Sequence, residues 1–379
     1  MGSAVQLKYH RGQYRYDLCN SREELVDELS RVGERVYIVD SNIVRLHAWI
    51  GSHLDAPQVR LISVMAGEQT KTLVRVAALT EQLLEEGFTK STTLVCIGGA
   101  TLQDLCGTIA GVLFRGARWV YVPTTALAQI DSCIGSKTSI NVGRYKNAAG
   151  LFYPPQKIMI HAGFLQTLPE QELVSAVGEL LHYILPYHGL REKAYELIRS
   201  GDVDLRGLIG TFQSDVLRIK GDMVEEDEFD TGPRRIFNYG HSFGHAIESV
   251  SGFQIPHGIA VALGMIVANS LGRENGLLNG EYNEALDKCD STCRKVLDLF
   301  GKTIGENFRI KVNESELLNA LKYDKKNDRC STFNLIIPVD MSEGRLVLEQ
   351  VEYGYNELAS GVIVHLIGAL GLRWLVVEE

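Results

Sequence analysis

The feature that most constrains this chain is a series of short segments, apolar along their whole length, set between stretches of helical spacing. Val36-Tyr37-Ile38-Val39-Asp40, Thr93-Leu94-Val95-Cys96-Ile97 and Trp119-Val120-Tyr121-Val122-Pro123 read as buried strands, with helices from Val74 to Glu86 and through Leu105 to Leu113. A strand without polar alternation must be covered on both faces, and strands that alternate with helices are joined by crossovers. The expected fold class is therefore α/β with a mostly parallel sheet, a nucleotide-binding type of layout. After about residue 160 the pattern changes. Pro169 to Leu185, Leu208 to Val224, Gly244 to Val250, Ile259 to Asn275 and Glu281 to Phe300 carry helical apolar spacing, and strand signal returns only at Phe333 to Ile337. The expectation is an α/β domain over residues 1–160 and a mainly α-helical domain over 161–379. No Pro/Ser-rich linker, internal repeat or low-complexity tract marks the boundary.

Composition narrows the class. With 379 residues, 45% hydrophobic and 22% charged, the chain has enough apolar material for substantial cores, which excludes disorder. No uninterrupted apolar run reaches the roughly 18 to 20 residues of a bilayer-spanning helix. Gly361 to Val377 comes nearest, but His365 and Arg373 interrupt it, and it reads as a buried terminal element. The start carries Lys8, His10, Arg11 and Arg15 where a signal peptide needs an apolar core, so a cytoplasmic protein is expected. The seven cysteines are odd in number and scattered without CxxC spacing, against a disulfide scaffold and against a Cys-based zinc site. Cys289 and Cys293, four apart, read as two buried thiols. A net charge of −9 with no Lys/Arg stripe disfavours a nucleic-acid surface, yet leaves room for small anions if positive charge gathers in one cleft.

Three constellations carry chemistry. Gly98-Gly99-Ala100-Thr101-Leu102-Gln103-Asp104 stands between a buried strand and a helix, where glycines admit a pyrophosphate to the helix N-terminus. Alone, the turn does not distinguish a cofactor site from an ordinary tight turn, and it is not the spaced GxGxxG of a Rossmann domain. His241 and His245 share a helix face in Asn238-Tyr239-Gly240-His241-Ser242-Phe243-Gly244-His245, and His257 follows in Pro256-His257-Gly258. Three imidazoles at this spacing suit a divalent metal completed by a carboxylate or water. The nearest carboxylate on a helix of its own is Glu179, set among Val177, Leu180 and Leu181. Finally, Lys137, Lys146 beside Asn147, Arg234-Arg235 and Lys325-Lys326 are each ordinary surface charges, but together they suit a cleft for phosphate or carboxylate.

With these sets in place the chain resembles the dehydroquinate synthase family, the sugar phosphate cyclases. The matching pieces are Gly67-Glu68-Gln69-Thr70-Lys71, the Gly98 to Asp104 turn, Phe114-Arg115-Gly116, Val122 to Ser132, Gly135 to Thr138, Lys146-Asn147, Gly178-Glu179, Gly232-Pro233-Arg234, Asn238 to His245, His257-Gly258 and Asp324-Lys325-Lys326. The resemblance implies an N-terminal NAD-binding α/β domain, a helical C-terminal domain and an active site in the cleft between them. It assigns NAD to Asp40, Glu68, Lys71, Gly98, Gly99, Asp104, Thr124, Thr125, Asp131 and Lys146, and zinc or cobalt to Glu179, His241 and His257. It gives the substrate phosphate to Lys137, Lys146, Asn147, His245 and one of Lys325 or Lys326, and the substrate carboxylate to Lys220 and Arg234, with Asn238 retained beside them. Arg115 resembles an arginine that enters from a partner subunit, which implies a homodimer. The implied reaction is a lyase cycle: hydride removal by NAD, phosphate elimination, hydride return, then ring opening and intramolecular aldol closure of a heptulosonate-type phosphate to a carbocycle.

Three positions depart from the family pattern. Its Glu-x-x-Lys is here Glu179-Leu180-Leu181-His182, its His-Gly-Glu is His257-Gly258-Ile259, and the third glycine of the turn is Ala100. His182 puts a shorter imidazole where the family holds an ammonium at the substrate, and Ile259 removes a carboxylate near His257. A specialised cyclase of secondary metabolism and an ordinary dehydroquinate synthase both remain open. A metal-dependent polyol dehydrogenase of the glycerol-dehydrogenase type is the alternative activity; it would not need Lys146, Asn147, Lys220 and Arg234 around two anionic groups.

Overall fold

The computed structural model describes residues 4–378 apart from 11, 56–58, 144, 200, 276–279, 306, 323–331 and 355–369. The chain divides into two compact units. Unit 1 comprises Met1–Leu168 with Lys220–Phe229, and unit 2 comprises Pro169–Ile219 with Asp230–Glu379.

In unit 1 the elements are β1 (Ala4–Tyr9), β2 (Gly12–Leu18), α1 (Arg22–Ser30), β3 (Arg35–Asp40), α2 (Ser41–Leu46), α3 (Ala48–Leu54), β4 (Arg60–Val64), α4 (Leu73–Glu85), β5 (Thr93–Gly98), α5 (Ala100–Val112), β6 (Trp119–Pro123), β7 (Lys137–Val142), β8 (Tyr145–Phe152) and β9 (Lys157–Ile160). The main sheet runs β1-β2-β9-β6-β5-β3-β4. β1 and β2 pair antiparallel, and every other neighbouring pair is parallel. β5 and β6 are buried at every residue, as strands covered on both faces must be. Tyr37, Val39, Val95, Ile97, Val122 and Phe164 meet in one core, each with no exposed surface. Full burial of such a side chain contributes about 1.5–3 kcal/mol. The N-terminal hairpin and the exposed β7–β8 hairpin carry polar, alternating residues and give no such apolar run.

In unit 2 the elements are α6 (Glu170–Ile184), α7 (His188–Arg199), most of α8 (Leu205–Glu226), α9 (His241–Val250), α10 (His257–Asn275), α11 (Gly280–Ile304), β10 (Ile310–Asn313), α12 (Glu314–Lys322), β11 (Thr332–Ser342), β12 (Arg345–Gly354) and β13 (Leu375–Glu378). The unit is mainly helical, but strands begin before Phe333: the four-residue β10 is too short to register as a pattern and gains its partner, parallel β13, from the far end of the chain. Residues 361–369 of the C-terminal apolar stretch lie outside the described residues. Its described end is half-buried β13, preceded by buried Trp374, and is not a wholly buried element. Among the described residues no helix is long and apolar enough to cross a membrane.

α6 is buried continuously from Leu173 to Ile184, so its polar members Glu179 and His182 lie inside the unit. Two glycines allow α6 to cross the start of α10 nearly in backbone contact. A Cβ on Gly178 would lie 2.2 Å from the Gly258 carbonyl oxygen, and one on Gly258 would lie 1.8 Å from the Ser175 carbonyl oxygen. Gly240, at φ 78°, turns the chain into α9 where any Cβ would meet the Val261 carbonyl oxygen at 2.7 Å. These approaches bring His241 and His257 to Glu179.

Candidate functional site

In unit 1 the chain leaves β3 for the edge strand β4 and returns to β5 on the other side of β3. The carboxyl ends of β3 and β5 therefore flank a topological switch point, where α/β sheets hold ligands. Asp40 ends β3, and its carboxylate accepts from Asn42 N–H; burial pushes this carboxyl up. Gly98 ends β5 and Gly99 caps α5 with no side chain over the helix amides. A Cβ would lie 2.6 Å from Leu102 Cδ2 at Gly98 and 2.8 Å from Thr125 Cγ2 at Gly99, so a larger residue at either would require those side chains to move. Thr124 and Thr125 follow β6, and Thr124 N–H donates to the Gly98 carbonyl at 3.0 Å. A bare helix N-terminus behind a double glycine at the switch point fits the pyrophosphate of a dinucleotide.

Beside this turn the unit 1 residues form a closed polar network. Lys71 Nζ donates to Asp104 Oδ2 at 2.7 Å and to Asn147 Oδ1 at 2.6 Å, while Ser139 N–H donates to Asp104 Oδ1 at 2.9 Å. Glu68 Oε1 accepts from Asn141 Nδ2 at 2.8 Å. Burial pushes the Asp104 carboxyl up against the pull of Lys71 and Ser139. Asp131 and Lys220, expected on different ligands, meet as an ion pair at 2.6 Å. Lys137 and Lys146 are exposed, and Arg115 is exposed on left-handed backbone at φ 64°. Asp324, Lys325 and Lys326 lie outside the described residues.

In unit 2, Arg234 is buried in the turn Pro233–Asn238, which also carries Asn238 and leads into α9. Glu179 is 2% exposed and is met by imidazoles from three helices. His241 Nε2 lies 3.4 Å from Oε1, His257 Nε2 lies 3.4 Å from Oε2, and His182 Nδ1 lies 3.6 Å from Oε1. Each Nδ1 faces an acceptor: the Tyr239 carbonyl at 3.2 Å for His241, Glu248 Oε2 at 3.1 Å for His257, and the Glu179 carbonyl at 2.6 Å for His182. Those acceptors assign the neutral-ring proton to Nδ1 in all three and leave Nε2 with a lone pair. Buried Glu179 Oε2 accepts no hydrogen bond.

The Nε2 lone pairs of His241 and His257 converge on the two oxygens of a buried carboxylate and repel them unless a cation stands among them, so the donor set fits a borderline divalent metal. Burial pushes the Glu179 carboxyl up. Positive charge at His182, His241 and His257 outweighs that and holds it well below the ordinary value. His245 is exposed, with its ring stacked on His257 at 5.5 Å.

Glu248 is the functional residue that the sequence reading missed. From α9 it places a carboxylate oxygen 3.1 Å from His257 Nδ1. Its signal was available: it lies two helical turns after His241, on the same face of an apolar-patterned helix. Ile259 itself is fully buried.

The sequence matches the 3-dehydroquinate synthase N-terminal domain over residues 61–175 and the C-terminal domain over 211–327. A 3-dehydroquinate synthase from Thermococcus kodakarensis is 36% identical over 292 residues, 77% of this chain and 78% of that protein. The chain belongs to the 3-dehydroquinate synthase family. Solved structures of family cyclases share its fold. A 2-deoxy-scyllo-inosose synthase complexed with carbaglucose-6-phosphate, NAD+ and Co2+ aligns with TM-score 0.77 at 24% identity, over 96% of this chain and all of that one. A 2-epi-5-epi-valiolone synthase from Streptomyces hygroscopicus subsp. jinggangensis 5008, with NAD+ and Zn2+ bound, aligns with TM-score 0.73 at 21% identity, over 94% of this chain and 97% of that one.

Proposed function

We propose that this enzyme is a sugar phosphate cyclase that eliminates phosphate from a carboxylated heptulosonate-type phosphate and closes it to a carbocycle, using NAD and zinc or cobalt. The observation that carries this reading is the convergence of His241 Nε2 and His257 Nε2 on the two oxygens of buried Glu179. Glu179, His241 and His257 would hold the metal; the Gly98-Gly99 turn, Asp40, Thr124, Thr125 and the Lys71–Asp104 network would hold NAD, with Glu68, Asp131 and Lys146 contributing. When bound, NAD supplies reversible hydride abstraction and the metal polarises hydroxyl and ketone oxygens.

The chain's own residues supply the anion chemistry. Lys137, Lys146, Asn147, His245 and one of Lys325 or Lys326 would hold the leaving phosphate, with the His245 imidazole holding a proton beside it. Lys220 and Arg234 would orient the carboxylate, Arg234 as a fixed bidentate fork, with Asn238 beside them. A polyol dehydrogenase needs neither set. Exposed Arg115, flanked by exposed Val112 and Phe114, supports a homodimer in which it reaches the partner's substrate. The six described cysteines are buried thiols, which supports a place in the reducing cytoplasm.

The test is incubation of pure protein with the heptulosonate phosphate, NAD and zinc. The expected result is phosphate and dehydroquinate in equal amounts without net NADH. NADH accumulation on a simple polyol, without phosphate release, would overturn the reading in favour of a dehydrogenase.

A further inference from the structure

We infer that His182 is a third imidazole ligand of the divalent metal, so that Glu179, His182, His241 and His257 hold it together. The inference rests on the metal site of the proposed function and adds to it a residue for which the family pattern has lysine. Three observations carry it. Glu179, His182 and His241 offer ligand atoms that all lie within 4.8 Å of one another. The His182 ring is 2% exposed and packs edge-to-face on His241, with centroids 4.7 Å apart and planes at 82°. Its Nδ1 sits 2.6 Å from the Glu179 carbonyl oxygen, one turn back on α6.

That contact fixes the ring as the Tyr239 carbonyl and Glu248 fix His241 and His257, although in His182 the same Nδ1 is also the nitrogen 3.6 Å from Glu179 Oε1. An Nδ1–H held by an oxygen fixes the ring and makes Nε2 the basic nitrogen, the usual outer support of a metal-bound histidine. A lysine ammonium at this position carries a proton and no lone pair, so it repels a cation; a neutral imidazole on the same turn donates to one. Position 182 thereby changes from a group that addresses substrate to a group that addresses metal. Three nitrogens and one oxygen suit zinc or cobalt over magnesium or calcium.

X-ray absorption on the zinc-loaded wild-type protein reads the ligands directly: three imidazoles per zinc are expected, and two would overturn the inference. Chelator competition then compares His182→Gln, His182→Lys and His241→Ala with wild type. Loss of His182 should weaken zinc binding by about 100-fold, at or beyond the roughly 10–100-fold that lost outer supports cost, and should shift the visible bands of the cobalt-loaded protein. Unchanged affinity and bands in His182→Gln, with binding abolished in His241→Ala, overturn the role of His182 and leave the proposed function standing. A wild-type protein that takes up no stoichiometric zinc or cobalt overturns the metal site itself. Thermal melting of the metal-free variants separates loss of ligation from loss of fold, and the wild-type absorption count requires no variant.

Discussion

The Lys71 network of unit 1 and the Glu179 cluster of unit 2 are both partly or wholly buried polar groups built around a carboxylate, yet they are satisfied in opposite ways. Asp104 receives an ammonium, a backbone N–H and a hydroxyl, so its lone pairs are met from within the chain. Glu179 receives nothing at Oε2 and faces imidazoles whose protons are committed to other acceptors. Buried polar groups are almost always paired, so the first arrangement is complete and the second requires a cation. Disturbing the first should therefore cost stability and leave metal binding unchanged, whereas disturbing the second should cost the metal.

The largest effect is expected at Glu179. Glu179→Gln should abolish stoichiometric zinc and lower the rate of phosphate release by about a thousandfold or more, the scale of the several kcal/mol that a Lewis acid supplies. The metal-free variant should also melt below metal-free wild type, since positive charge at His182, His241 and His257 favours the ionised carboxylate that the substitution removes. Lys71→Met is the converse. It strands Asp104 and should cost about 2 kcal/mol of unfolding free energy in denaturant titration, below the value for a fully buried pair because Asp104 keeps some solvent. Zinc affinity should be unchanged. If Lys71→Met lowers zinc affinity or Glu179→Gln leaves it unchanged, the contrast between the two sites fails.

Glu248→Gln should weaken zinc binding about tenfold, because the amide still accepts from His257 Nδ1 but no longer supports its basicity. The smallest effect is a pH dependence at Asp104. Its folded pKa is raised above the unfolded value of about 3.9, so the folded chain binds this proton more tightly. The contribution is fully present below the unfolded value and is lost as pH rises through the raised one. Asp104→Asn should remove that decline. The stability of wild type relative to the variant should therefore fall across this window, and a rise would contradict the assigned direction.

What could be read from the sequence follows the physics of each element. β3, β5 and β6 are apolar on both faces and announce themselves, as does α6, whose one carboxylate among Val177, Leu180 and Leu181 stands out. β1, β2, β7 and β8 are half-solvated hairpins whose alternating or polar residues look like loop. The Lys71–Asp104 pair spans 33 residues, and no local pattern predicts that a residue expected on a ligand first meets another such residue. Glu248 looks like any helical glutamate until the turn after α9 returns His257 to its side. His182 was legible as a departure from the family pattern, but its place beside Glu179 and His241 is set by tertiary packing, with α6 and α9 both packed on α10.

The central claim is that the Glu179 cluster holds one divalent metal on which phosphate elimination depends, while NAD is regenerated within each turnover. It is tested most directly by stripping the protein with chelator and titrating zinc back, with phosphate release and 340 nm absorbance followed together. The account predicts that phosphate release is absent in the stripped protein and returns in proportion to zinc up to one per chain, with no net NADH. Phosphate release that is independent of added zinc, or NADH formed in step with product, would contradict it.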